Sequence, residues 1–183
     1  NRSLAATKSL AAEITPVTVA SRNGDVIVKT DEQPRKARPE KIPQLKPAFA
    51  QNGTVTAANA STINDGAAAL ILASGEAVEK LGLKPIARLV SQADAAKAPE
   101  WFTTAPSDAL PKALDRAGLT NEQIDAWEIN QAFAVVSLAN AQKLELDAAK
   151  VDQNGGGVSL GHPLGASGAR IVVTLLNVLG QTQ

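Results

Sequence analysis

Residues 155–170 read GGGVSLGHPLGASGAR. The three glycines make a turn, and after Val158-Ser159-Leu160 the loop 161–165 enters an apolar stretch whose spacing predicts a helix over 167–179. His162, the single histidine of the chain, stands in that loop between Gly161 and Pro163. Glycine permits close backbone approach, proline stiffens the turn, and a helix start presents unpaired N–H groups at the positive end of a dipole. An imidazole in that place can shuttle a proton or donate to a developing oxyanion. Two other readings stay open. One is a loop histidine capped by the backbone. The other is a phosphate-binding loop, against which stand the bulky His-Pro pair and the lack of a Lys-Ser or Lys-Thr pair behind the glycines.

Outward from this stretch, helical and strand patterns alternate. Residues 124–129 predict a short strand, Asn130-Gln131 a tight break, 132–144 a helix with apolar positions 132, 135, 136 and 139, and Val151 the opening of another strand. A helix is predicted over 109–117, stopped by Gly118. The continuously apolar runs 67–73 and 85–90 read as fully buried strands on either side of a short helix, 76–81, with Ser74 as its N-cap and Gly82 as its end. Thr54–Thr56 alternates as a short strand. Prolines at 34, 39, 43 and 47 predict an extended surface segment over 31–47. Residues 14–30 predict a β-hairpin turning at Asn23-Gly24 in a type I′ turn. Such alternation argues for a layered α/β fold.

With 183 residues, 44% hydrophobic and 20% charged, the chain falls among ordinary folding chains, enough for one domain or one plus part of another. Its 18 basic residues balance 18 acidic ones, so no global field draws nucleic acid, and an anionic ligand must be caught locally. The one local concentration is Arg35, Lys36, Arg38, Lys41 and Lys46 against Glu40, either a solvated loop or an anion-catching patch. No apolar run approaches the ~20 residues of a membrane span. Cys, Met and Tyr are all absent, which is odd for this size and excludes thiolate chemistry and disulfides within the chain. The start, Asn1-Arg2-Ser3-Leu4, has neither an initiator Met nor a signal-peptide layout and reads as internal.

Asn130 and Phe133 fall where a predicted strand ends and a helix begins, the rim at which layered α/β proteins place functional side chains. A helix N-cap and a core aromatic are the alternatives. The same pair of readings applies to Ser61 and Phe49. No acidic pair or metal-ligand cluster is visible, Glu128 standing alone.

Three segments in this order and spacing, NGTVTAANASTINDGAAAL at 52–70, NQAF at 130–133 and GGGVSLGHPLGASGAR at 155–170, resemble the thiolase family, nearest its biosynthetic acetoacetyl-CoA branch. The resemblance implies a five-layer αβαβα fold, of which this chain would carry roughly the second half. Residues 1–63 would end the CoA-covering loop domain, 64–84 the N-terminal half, and 85–183 would form most of the C-terminal half. It implies a Claisen condensation of two acetyl-CoA to acetoacetyl-CoA plus CoA, and the reverse thiolysis, with no tightly bound cofactor. His162 would activate a nucleophilic Cys lying before residue 1, and then hold the enolate oxygen with a water placed by Asn130. A second Cys would follow residue 183. CoA contacts carry over to Ser61, Phe49, Arg35, Ala57 and Phe133. A homo-oligomer, dimer or tetramer, is implied, with no nucleic-acid or membrane partner, in the cytoplasm or else in mitochondria or peroxisomes. Longer-chain 3-ketoacyl-CoA thiolases and non-catalytic CoA-binding homologues fit the same motifs. A β-ketoacyl synthase would need a histidine where Asn130 stands. One departure is plain: Gln131 stands where the family carries Glu.

Overall fold

The structure, a computed structural model, describes residues 9–181. The expectations attached to residues 1–8 and 182–183 lie outside the described residues. The hairpin forms from β1 (Val17–Val19) and β2 (Val26–Val28), antiparallel with Val17 opposite Val28. Its connection is not the two-residue turn expected. Only Gly24 takes a positive φ, of 103°, so the chain rounds a longer loop. Residues 31–47 are less extended than expected. Gln33–Lys36 makes one turn of helix, α1, and Pro39–Gln44 a 3-10 turn, each with proline at its start, where the missing N–H costs nothing.

Helix α2 (Gly75–Leu81) starts where expected: the Ser74 hydroxyl accepts from the Ala77 N–H at 3.1 Å, and Gly82, at φ 60°, closes it. Helix α3 (Pro106–Ala117) begins three residues early, at a proline, and ends at Gly118. Helix α4 is Ala134–Lys143, α5 the short Gly157–Leu160, and α6 Ser167–Gln181. The core gathers between α3, α4 and the strand-like segment before α4. Trp127, Ile129, Val136 and Leu146 are buried there, with Leu110, Leu114, Phe133 and Val151 packed around them.

The expected strands are the main correction. Residues 67–73 and 85–90 form no ladder, and Ile71 and Ile86 are 95% and 85% exposed. A strand is held by the hydrogen bonds of its neighbours, and a doubly covered one also by layers on both faces. The described residues supply neither to these two segments. The expected strand 124–129 shrinks to a parallel bridge, Trp127 beside Val151, and Thr54–Thr56 to a turn folded around Asn59, whose amide accepts from Thr56 N–H at 2.7 Å and donates to the Thr54 carbonyl at 2.9 Å.

Candidate active site

The site is assembled where three loops meet. Segment 59–63 is the seam. Its Ala60 bridges Phe133, Ser61 donates to the Ala132 carbonyl from both N–H (3.0 Å) and hydroxyl (2.8 Å), and the Thr62 carbonyl accepts from the His162 N–H at 2.9 Å. One short stretch therefore ties the turn before α4 to the loop before α6. Two of the glycines around the loop, Gly157 and Gly161, admit neighbouring chain, while Gly165 and Gly168 face open space. A Cβ on Gly157 would lie 2.8 Å from the Gln131 carbonyl oxygen. One on Gly161 would lie 2.3 Å from the Asn64 side chain, at a φ of 92° that disfavours any side chain.

The result brings Asn130 against His162, 32 residues away. Asn130 Nδ2 lies 3.4 Å from each ring nitrogen. Equal distances mean that the amide packs against the imidazole without pointing at one nitrogen. On its other side, His162 Nδ1 is 2.6 Å from the Ser167 hydroxyl in the first turn of α6. The helix start is less open than the sequence suggests, because Ala166 and Ser167 both donate their N–H groups to the Pro163 carbonyl. Asn130 is not an N-cap: that position belongs to Phe133.

Behind Asn130 is a half-buried charge cluster, with Asp152 its buried member, that sequence reading missed. Asp152, at φ 46°, turns the chain away after the Trp127–Val151 bridge. Its carboxylate then accepts from Ile129 N–H (2.7 Å), Gln131 Nε2 (2.8 Å) and Ser137 Oγ (2.6 Å). Burial raises its pKa and these three donors pull it back. Glu128, alone in the sequence, is pushed up to about 8, first by burial and then by the charge of Asp152, with Arg170 opposing and Glu13 adding to the rise. Arg170 donates from Nη2 to Asn130 Oδ1 at 3.3 Å. The sequence signal for this cluster is a charged residue at 128, between Trp127 and Ile129, and at 170, between Ala169 and Ile171; Asp152, among Lys150, Gln153 and Asn154, carries none. Among the described residues no three metal-ligating side chains converge.

The residues expected to touch CoA are brought together in part. Phe49, 74% exposed, sets its ring edge-on to Phe133, centroids 5.6 Å apart at 90°. Ser61 lies in the seam beneath that pair, and Ala57 is exposed in the turn leading to it. Arg35 is exposed on α1, with no side-chain contact tying it to the others. A cleft of about 580 Å³ opens beside the histidine loop, between residues 64–68 and Pro163–Ala169.

Comparison with known families gives the class to which this chain belongs. The family model for the N-terminal domain of thiolase matches residues 1–76 and that for the C-terminal domain of thiolase residues 83–183. The chain belongs to the thiolase family. Among its relatives, an acetyl-CoA acetyltransferase of Yarrowia lipolytica is 54% identical over 91% of this chain and 42% of the relative. One of Schizosaccharomyces pombe is 51% identical over 96% and 45%. The chain thus spans less than half the length of these relatives. Among solved structures, the Bacillus anthracis acetyl-CoA acetyltransferase matches with TM-score 0.92 and 42% identity over 99% of this chain and 47% of its own. A thiolase from Ascaris suum in complex with coenzyme A matches with TM-score 0.85 and 45% identity over 97% and 46%. The α/β thiolase fold is thereby established, and the unpaired strand segments follow the path of that fold.

Proposed function

We propose that the full-length protein is an acetyl-CoA C-acetyltransferase, condensing two acetyl-CoA to acetoacetyl-CoA and free CoA and running the reverse thiolysis. The observation that carries this reading is the packing of the Asn130 amide against the His162 imidazole. A thiolate attacks the first thioester and expels CoA. The second Cys, as thiolate, takes an α-proton from the second acetyl-CoA, and the resulting enolate carbon attacks the acyl group and releases the first thiolate. His162 serves as base toward the thiol and then as donor to the enolate oxygen, and Asn130 places a water beside it. The thiols come from outside this chain, which has no Cys, and the chain alone is expected to be inactive.

Phe49 and Phe133 form a surface for the adenine, Ser61 and Ala57 a wall for the pantetheine, and Arg35 a partner for the phosphates. Residues 1–63 close the CoA-covering domain, 64–84 end the N-terminal half and 85–183 form most of the C-terminal half. The apolar segments 67–73 and 85–90 then take their strand partners from the rest of the protein. A homodimer or homotetramer fits this reading, as does a cytoplasmic site. Relatives include mitochondrial enzymes such as that of Mus musculus, and among the described residues no helix is long and apolar enough to cross a membrane. Thiolysis of acetoacetyl-CoA by the full-length protein tests the proposal: His162→Ala is expected to lose at least about 100-fold in kcat, and unchanged turnover would remove His162 from the chemistry.

A further inference from the structure

The Asn130 amide could sit either way round in its pocket, and the two orientations present opposite chemistry to the site. In one, Nδ2 faces His162 as a donor. In the other, Oδ1 faces it as an acceptor. A guanidinium has five N–H donors and no acceptor, so a neighbouring Arg tolerates only the amide oxygen. Arg170 is that neighbour. It rises from the first turn of α6, where its own N–H bonds the Ala166 carbonyl, and its Nη2 reaches Asn130 Oδ1 at 3.3 Å, 40 residues away. A reversed amide would set two donors against each other.

The cation is kept in place by more than this bond. Burial lowers the Arg170 pKa, and the charges of Asp152 and Glu13, joined by Glu128 once it ionises above about 8, oppose that. Its Nε and Nη1 are buried without a partner, so it has donors to spare and no means of offering an acceptor. We infer that Arg170 is a positioning residue, whose guanidinium fixes the Asn130 amide with its oxygen inward and its NH₂ toward His162. The inference rests on the proposed role of Asn130 in turnover, but the orientation itself does not.

Full-length protein tests both parts. Arg170→Met removes every donor at similar volume, and Arg170→Lys keeps the charge and one donor group. In acetoacetyl-CoA thiolysis, Arg170→Met is expected to lower kcat by about 10- to 100-fold, the scale of a small misplacement, with KM held within about twofold. Arg170→Lys should recover part of the loss. In an Asn130→Ala background, Arg170→Met should cost nothing further. The second readout needs no turnover. The side-chain NH₂ resonances of Asn130, identified by their disappearance in Asn130→Ala, should exchange slowly in the parent and at least about tenfold faster in Arg170→Met. An equal loss of kcat in the Asn130→Ala background, or unchanged Asn130 exchange in Arg170→Met, overturns the inference. Slow exchange in a parent that performs no thiolysis overturns the proposed function and leaves the Arg170 assignment standing. If Arg170→Met does not fold, Arg170→Lys supplies the same cycle and the same resonances.

Discussion

His162 Nδ1 and the Ser167 hydroxyl are 2.6 Å apart, and Ser167 also donates to the Pro163 carbonyl at 3.1 Å. A hydroxyl has one proton. With that proton on the carbonyl, its oxygen must accept from Nδ1–H, which leaves Nε2 as the basic nitrogen. Ser167 is 4% exposed, so no bulk water can replace it readily. Ser167→Ala is expected to lower kcat by roughly tenfold through loss of the preferred tautomer, with ¹⁵N shifts of the imidazole moving toward a mixture. A variant with normal kcat and an unaltered tautomer would show that the ring is held by its loop alone.

Gln131 stands where the thiolase resemblance implies Glu as the usual residue, and the structure gives the amide a use. Its Nε2 donates to the Asp152 carboxylate at 2.8 Å. Gln131→Glu alone would set two carboxylates at that distance in a buried place, which is stable only with a shared proton. The single variant is expected to lose about 1–3 kcal/mol at neutral pH and to recover on acidification. Adding Asp152→Asn restores a donor facing an acceptor and should return most of the stability. Denaturant unfolding of the four proteins measures the coupling, and strictly additive losses would mean the pair does not act as a unit.

The longer helices are legible in the sequence because their signals are local, whereas the single turns Gln33–Lys36 and Gly157–Leu160 are not. Ser74 and Gly82 bracket α2 within a few residues, and the apolar spacing around Val136 marks α4. The sheet is not legible in the same way. Leu70 to Leu72 read as buried strand, and their burial depends on partners that the described residues do not provide. At the site, His162 and Asn130 stand out through motif and resemblance. Their supports do not: Arg170 meets Asn130 across 40 positions and Gln131 meets Asp152 across 21, with no periodicity to announce either pair.

Phe49 keeps three quarters of its surface in solvent while holding Phe133 edge-on. Such a pair contributes only about 0.5–1.5 kcal/mol. Phe49→Ala should therefore lower the melting midpoint only slightly. If the ring also meets adenine, KM for acetoacetyl-CoA rises by roughly 3- to 10-fold with kcat unchanged, the pattern of lost uniform binding. A larger effect on stability than on KM would assign Phe49 to packing.

Glu128 gives the protein a pH dependence of definite sign. Burial and the Asp152 charge move its carboxyl from the ordinary 4.5 up to about 8. The unfolded chain thus releases this proton several units below the folded one, so between these values the native state binds more protons and stability falls as pH rises. Glu128→Gln keeps the shape of the neutral acid and cannot ionise. The variant should match the parent near pH 5 and exceed it near pH 9 by roughly 2–4 °C in melting midpoint, the shift that about 1 kcal/mol produces at this chain size. Partial solvent access at the site keeps the figure that small. Parallel melting curves for the two proteins across this range would place Glu128 in water, and a variant less stable at pH 9 would mean that its charge is needed by Arg170.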